Sequence, residues 1–352
     1  MDFILNGQAN GNVASVLMNN NMDVNALRPY IGEDGRSYRT IMVNGKYKAV
    51  PTTNDATLRK DEWKLLDTAI IKAAKPRLKL VADLRGAGLT YNIPNGMGKT
   101  VLETENQSDV TDAIISMDGL RESANDRPVY DLTNLPLPII HKDFSYSLRQ
   151  VMTSRNGGSP LDTTMAELSA RKVAETAEKL AAGTYGTYAF GGGTIYGLIN
   201  YPNRLTRTMT SPLAGGWTPA TTIAELLAMR LQSQNAYHYG PFMLYVSTPW
   251  DTYLDTDYST AKGDNTLRDR IKRIEGISDV RTLDYLPNDA FHMILVQMTS
   301  DVVREVIGMD ITTLQWETKG GMQLNYKVMA ILVPQIRCDQ NLRTGIVHGT
   351  TL

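Results

Sequence analysis

The stretch between Gly86 and Ser147 constrains this chain more than any other. It contains three β-prone pieces, TVLET, DAIISM and PIIHKDFSYSL. In the last, Ile140, Lys142, Phe144 and Tyr146 alternate with His141, Asp143, Ser145 and Ser147, which is the period of a strand. The polar run RESANDRP reads as the tip of a long antiparallel excursion. A hairpin this long cannot bury both faces against its own domain. The expectation is that it reaches another subunit.

The segments around it read as follows. The first 55 or so residues are rich in Asn (Asn6, Asn10, Asn12, Asn19, Asn20, Asn21 and Asn25) and broken by Gly32, Asp34 and Gly35. Within them IMVNGKYKAV predicts a small hairpin around Asn44-Gly45. Trp63, Leu66, Ile70 and Ala73 share one helical face, and Pro76 should end or kink that helix. The clearest helix is TTMAELSARKVAETAEKLAAG. Thr164 and Glu167 read as its capping box, Ala166, Ala170, Val173, Ala177 and Leu180 as its buried stripe, and Gly183 as its C-terminal cap.

Residues 218–300 alternate helices and strands. A helix capped by Thr222 and Glu225 comes first, followed by FMLYVS, TPWDTYL, LRDRIKRIEG ending at Gly276, DVRTLDYL and FHMILVQM. This predicts an α/β lobe. The tail returns to strands in VVREVIGMD, TTLQWET and LNYKVMAILVPQI. The interrupted order implies that the chain leaves one lobe, builds a second and comes back.

The chemistry-bearing residues exclude more than they suggest. Gly191, Gly192 and Gly193 follow a helix and no Lys-Ser or Lys-Thr comes after them, so they make no phosphate loop. Gly98-Lys99-Thr100 ends like one, but Ile93 stands where the first glycine is needed. A dinucleotide fingerprint needs a helix downstream, and TIYGLINYP runs into a turn instead. His141, His238, His292 and His348 are far apart in sequence, so a metal site or a triad would need long-range convergence. Asp251, Asp255 and Asp257 lack the glycine and terminal glutamate of an EF-hand. Cys338 is the one cysteine and reads as a reduced structural thiol. No cofactor and no metal are expected.

With 36 basic and 37 acidic side chains, the chain has no basic excess for reading nucleic acid. No apolar run reaches a membrane span, and the N-terminus has no signal-peptide pattern, so synthesis in the cytoplasm is expected.

The ordered series resembles the HK97-fold shell proteins, especially the encapsulin/linocin-like branch and the tailed-phage major capsid proteins near it. DEWKLLDTAIIKAAKPRLKLVADL looks like the helix leading into that family's extended E-loop, and NLPLPIIHKDFSYSL like the strand returning from it. ARKVAETAEKLAAGTYGTYAFGGGTIYGLINYP is similar to the spine helix and its glycine turn. YGPFMLYVSTPWDTYL and LRDRIKRIEGISDV resemble the A-domain; VVREVIGMDITTLQWE and YKVMAILVPQI resemble closing P-domain strands. LRPYIGEDGRSYRTI looks like a phage capsid arm and departs from encapsulins.

The resemblance implies an α+β, HK97-like fold divided in five parts. These are an N-terminal arm over 1–57, a P-domain over 58–86 and 136–217, an E-loop over 87–135, an A-domain over 218–300, and P-domain return strands over 301–352. It implies no enzyme but a major capsid protein in the virion, assembled in the bacterial cytoplasm into hexamers and pentamers of itself around double-stranded DNA held by weak, non-specific contact. Portal, scaffolding and decoration proteins would be further partners, with no membrane. The chain begins at Met1, so scaffolding is expected from a separate protein.

Arg121, Glu122, Asp126 and Arg127 at the E-loop tip are the expected inter-subunit contacts. Gly86 and Gly88 are the expected hairpin hinge, and Gly191, Gly192 and Gly193 a turn. The alternatives are an encapsulin-type nanocompartment enclosing a cargo enzyme, and an unrelated α/β enzyme.

Overall fold

A computed structural model of the protein describes residues 29–43, 46–51, 58–74, 78–107, 113–118, 120, 127, 130–156, 162–258, 265–339 and 341–351. Its strands are β1 (Tyr30–Ile31), β2 (Ser37–Val43), β3 (Lys46–Pro51), β4 (Thr90–Asn92), β5 (Val101–Gln107), β6 (Tyr130–Pro136), β7 (Ile140–Ser147), β8 (Tyr188–Phe190), β9 (Gly193–Ile195), β10 (Leu205–Thr208), β11 (Phe242–Ser247), β12 (Ile277–Leu283), β13 (His292–Gln297), β14 (Val303–Thr318), β15 (Gln323–Ile336) and β16 (Ile346–Thr350). The helices are α1 (Lys60–Ala74), α2 (Lys79–Gly86), α3 (Leu148–Asn156), α4 (Thr164–Ala182), α5 (Pro219–Asn235), α6 (Thr248–Leu254) and α7 (Leu267–Lys272). The architecture is α+β in two compact units. One holds residues 1–100, 137–181 and 305–333, the other 101–136, 182–304 and 334–352.

The first unit is built on α4. No glycine or proline interrupts residues 164–182, and the alanines lose no side-chain entropy in a helix. Its stripe of Ala166, Ala170, Val173 and Ala177 is buried against Trp63, Leu66 and Ile70 of α1 and against Phe144, Tyr146, Tyr326 and Val328 of the sheet. Small side chains let the sheet approach closely, and the aromatics fill the space. Phe144 and Tyr326 stack with ring centroids 5.1 Å apart.

The capping differs from the sequence reading. Thr163, not Thr164, bonds Glu167 (Oγ1 to Oε1, 3.0 Å), because the Thr164 amide already donates to Asp162 Oδ1 at 3.0 Å. Gly183, at φ +92°, ends the helix as its sequence position suggested.

The four-stranded sheet of this unit has the order β4-β14-β15-β7, with β7 antiparallel to β15 from Ser147↔Gln323 to Ile140↔Ala330. The tail segments VVREVIGMD and TTLQWET, read as two strands, are one 16-residue strand, β14. The β-prone run has no breaker between Asp310 and Thr312. Near the N-terminus, β2 and β3 pair from Tyr38↔Pro51 to Val43↔Lys46, as the hairpin reading expects. Its Asn44-Gly45 turn lies outside the described residues, as do Pro76 and the Asn-rich run of residues 1–28.

Buried charge ties α2 to this unit. Arg85 bonds Glu305 at 3.0 Å and Asp310 at 2.8 Å on β14. From α4, Glu178 accepts the Leu80 amide at 2.5 Å and the Val81 amide at 3.4 Å, satisfying donors that the first turn of α2 leaves open. Burial pushes the Glu178 carboxyl up to about 7.

Helix α2 ends at Gly86, and Gly88 follows at φ +73°. A Cβ at Gly86 would meet nothing within 4 Å. Gly86→Ala is therefore expected to raise the unfolding free energy by about 0.5–1 kcal/mol, as measured by urea denaturation. A loss of stability would show that this position is conformationally constrained.

The second unit holds a five-stranded sheet of order β10-β16-β13-β11-β12. One face packs Phe242, Leu244, Val246, Met293, Leu295 and Val347 against Trp250, Ile223, Leu226 and Met229. Here too a cap moves. The cap of α5 is Thr218, four residues before the expected Thr222, with Thr218 Oγ1 accepting the Thr221 amide and Pro219 in the first turn. Thr222 is instead buried and accepts the Trp217 indole N–H at 3.0 Å. Helix α7 stops at Lys272, short of Gly276.

The lobe read over 218–300 is completed from outside that range. β10 comes before it and β16 after it, so residues 346–350, expected among the P-domain return strands, lie within this sheet. A five-residue strand paired in parallel on one side and antiparallel on the other carries no local signal of its partner.

Candidate inter-subunit surface

The expected E-loop over 87–135 divides between the units: residues 87–100, with β4, belong to the first, and 101–135 to the second. β5 and β6 form a two-stranded ladder with seven residue pairs, from Val101↔Pro136 to Gln107↔Tyr130. Among its described side chains the buried ones are at the root, at Leu102, Leu135 and Pro136. Beyond the ladder, DAIISM does not form the expected strand. Residues 113–116 lie outside any strand. β-propensity fits a pleated surface with neighbouring strands, and among the described residues none pairs with this segment.

The apolar side chains of this excursion face solvent. Ile115 is 98% exposed, Met117 105% and Leu120 83%, and Ile114, Tyr130 and Leu132 are exposed as well. An exposed apolar group of this size marks an interaction surface. The segment 101–136 also carries eight acidic and two basic side chains. Its apolar residues are thus set in a negative field. Of the four residues expected at its tip, Arg121, Glu122 and Asp126 lie outside the described residues, and Arg127 is exposed.

The glycine run anchors this hairpin. Gly191 and Gly192 have φ +59° and +76°, the two-residue hairpin turn that positive φ at both positions permits, and they join β8 to β9. Asn134 of β6 donates its side-chain amide to the Gly191 carbonyl at 3.1 Å. At Gly193 a Cβ would lie 2.0 Å from the Asn134 carbonyl oxygen. The run is the turn the sequence suggested, and it serves the close approach of two backbones.

Other sequence candidates resolve into structural roles. Asp251 and Asp255 both bond Arg268, at 2.7 and 3.0 Å, and Asp251 also accepts from Thr282 Oγ1. Asp257 makes a backbone bridge to Thr266. Cys338 is half-buried, with the Asn203 amide nitrogen 3.7 Å away. His141 is exposed beside Asp143. His292 and His348, distant in sequence, do converge, as described below. Among the described residues no group of three His, Cys, Asp or Glu side chains is placed to hold a metal ion, and no helix is long and apolar enough to cross a membrane.

No curated protein matches the chain. Solved structures do. A virus-like particle from Pyrococcus furiosus matches with TM-score 0.56 and 16% identity, over 80% of this chain and 97% of its own. The capsid of Myoviridae phage XM1 matches with TM-score 0.59 and 10% identity, over 76% of this chain and 91% of its own. The capsid of a native GTA particle matches with TM-score 0.52 and 13% identity, over 76% and 89%. These likenesses give the fold, an HK97-like capsid fold, which agrees with the resemblance seen in the sequence. Residues 53–349 match the model of a family of unknown function, DUF6260, and the chain belongs to that family.

Proposed function

We propose that this chain is the major capsid protein of a tailed phage, assembling with copies of itself into an icosahedral shell around double-stranded DNA. The observation that carries the reading is an HK97-like fold from which a two-stranded hairpin projects fully exposed apolar side chains. Such side chains are stable in water only at a cost, and burial against a second subunit removes it. The activity is self-association, with no catalytic residue required.

In this reading the first unit corresponds to the P-domain, the sheet of the second to the A-domain, and the hairpin from β5 to β6 to the E-loop. Arg121, Glu122, Asp126 and Arg127 make polar contacts at its tip, and Gly86 and Gly88 let its root adapt to non-equivalent positions. The nearly neutral chain supports weak, sequence-blind contact with the packaged DNA. Portal, scaffolding and decoration proteins would join it.

A nanocompartment shell is the second reading, favoured by the match over nearly the whole Pyrococcus particle subunit. Electron microscopy of the purified protein, with analysis of the particle contents, tests both. Closed shells holding long double-stranded DNA are the expected result. Shells holding a co-purifying enzyme would establish the nanocompartment instead. A soluble monomer with no particle under any condition would overturn both.

A further inference from the structure

β13 and β16 run antiparallel with Ile294 opposite His348 and His292 opposite Thr350, so the two histidines share one face of the sheet, diagonally across the strand pair. Both are buried. Their rings stack with centroids 5.2 Å apart, and His292 Nδ1 lies 3.0 Å from His348 Nε2. Arg204, just ahead of β10, donates from Nε to His348 Nδ1 at 3.3 Å. At the far end Asp289 Oδ1 is 3.1 Å from His292 Nε2.

The ends of this series set its direction. Arginine only donates and an ionised aspartate only accepts. His348 therefore accepts at Nδ1 and donates from Nε2, and His292 does the same. One hydrogen-bonded chain runs Arg204→His348→His292→Asp289, and it is complete only when both rings are neutral. A proton added to His348 Nδ1 points at the Arg204 N–H. A proton added to His292 Nδ1 points at the His348 N–H. Each sets donor against donor, and at His348 the added charge also lies beside the half-buried Arg204 guanidinium.

Among the described residues, the charged neighbours acting on His348 are His292 and Arg204, with no compensating anion. On the same face β11 adds Tyr245, in register with Ile294, and Ser247, whose hydroxyl accepts the His292 amide at 3.1 Å. Arg207 of β10 is in register with Gly349, on the opposite face, where Gly349 meets Met209 and Met229. α5, which carries Glu225 and Arg230, packs on that opposite face too.

We propose that these four residues form an acid-sensitive latch, holding the C-terminal strand β16 and its neighbour β10 in the sheet at neutral pH and releasing them in acid. The position of β16 gives the latch leverage. It is hydrogen-bonded on both sides, so its loosening frees β10 and uncovers the edge of β13.

Burial, with His292 and Arg204 adding to it, lowers the His348 imidazole to about 4, below its ordinary 6.5. The stabilisation is therefore fully present above the unfolded value and is lost as pH falls toward the folded one. The first unit responds with the opposite sign. Glu178 is raised to about 7, so its neighbourhood gains stability as pH falls below that value.

Hydrogen exchange on the full chain, with rates corrected for intrinsic pH dependence, reads the two units separately. Between pH 7.5 and 4.5, amides of residues 346–350 and 205–208 are expected to lose protection by roughly 50-fold, the size that the lowered imidazole implies. Amides of residues 324–332 should keep theirs. In the double variant His292→Gln, His348→Gln, each amide can still accept and donate but cannot titrate, and protection at pH 4.5 should match that at 7.5. If the double variant does not fold, His348→Gln alone should retain most of the acid resistance. Undiminished protection of residues 346–350 in the natural chain at pH 4.5, or an equal loss in the glutamine variants, would overturn the latch.

Discussion

Gly193→Ala is expected to lower the unfolding free energy by about 3 kcal/mol or more, beyond the usual range for overpacking. The new Cβ would sit 2.0 Å from the Asn134 carbonyl oxygen and 2.6 Å from its carbon. Both are backbone atoms, so no rotamer change relieves the clash. β9 must part from β6, and the Asn134 bond to Gly191 goes with it.

The two neighbouring glycines set the scale. At Gly191 an alanine meets the Val101 side-chain methyl Cγ2 at 2.7 Å and must also hold φ at +59°. At Gly192 the nearest atom is the Asn134 Nδ2 at 3.5 Å, leaving only the left-handed backbone, about 1 kcal/mol or slightly more. Denaturation of the three single variants should rank Gly193 worst and Gly192 mildest. Equal losses at Gly192 and Gly193 would mean that the approach to Asn134 does not hold the hairpin root.

This case shows where the sequence stops speaking. Three consecutive glycines after a helix were legible as a turn, since backbone freedom is a local property. Their partner, Asn134, is 57 residues from Gly191, and nothing in either segment points to the other. The same boundary separates α4 from its cap. The alanine stripe announces the helix, but Thr163 and Thr164 are both capping residues, and only the folded position of Asp162 chooses between them. Thr218, Thr221 and Thr222 pose the same problem at α5.

Long-range pairing explains the other misses. β16 is too short to show which sheet it enters. His292 and His348 looked isolated because the sheet register that joins them is a tertiary fact. DAIISM errs in the other direction. Its local preference for a strand is real, but among the described residues no strand pairs with it. For the candidate surface, the sequence supplied the length and patterning of the excursion. Its exposure required the fold, since an apolar residue in sequence says nothing of what covers it.

That exposure leads to the largest functional effect. The triple variant Ile115→Ser, Met117→Ser, Leu132→Ser is expected to fold like the natural chain and to fail to assemble. Ile115 and Met117 are almost fully exposed and Leu132 largely so. Their removal should therefore change the unfolding free energy of the isolated subunit by no more than about 0.5 kcal/mol per site. In the proposed shell the same side chains would be buried, at roughly 1.5–3 kcal/mol each. In that proposed arrangement every subunit would both offer and receive the hairpin, so the loss would recur at each contact and closure would amplify it. Size-exclusion chromatography and electron microscopy should show monomers or small oligomers at concentrations where the natural chain is expected to form shells. Circular dichroism and the thermal midpoint should be unchanged. Normal shells from the triple variant would remove the hairpin's apolar residues from the assembly mechanism. An unfolded subunit would instead show that these residues pack within their own chain, against the exposure seen here.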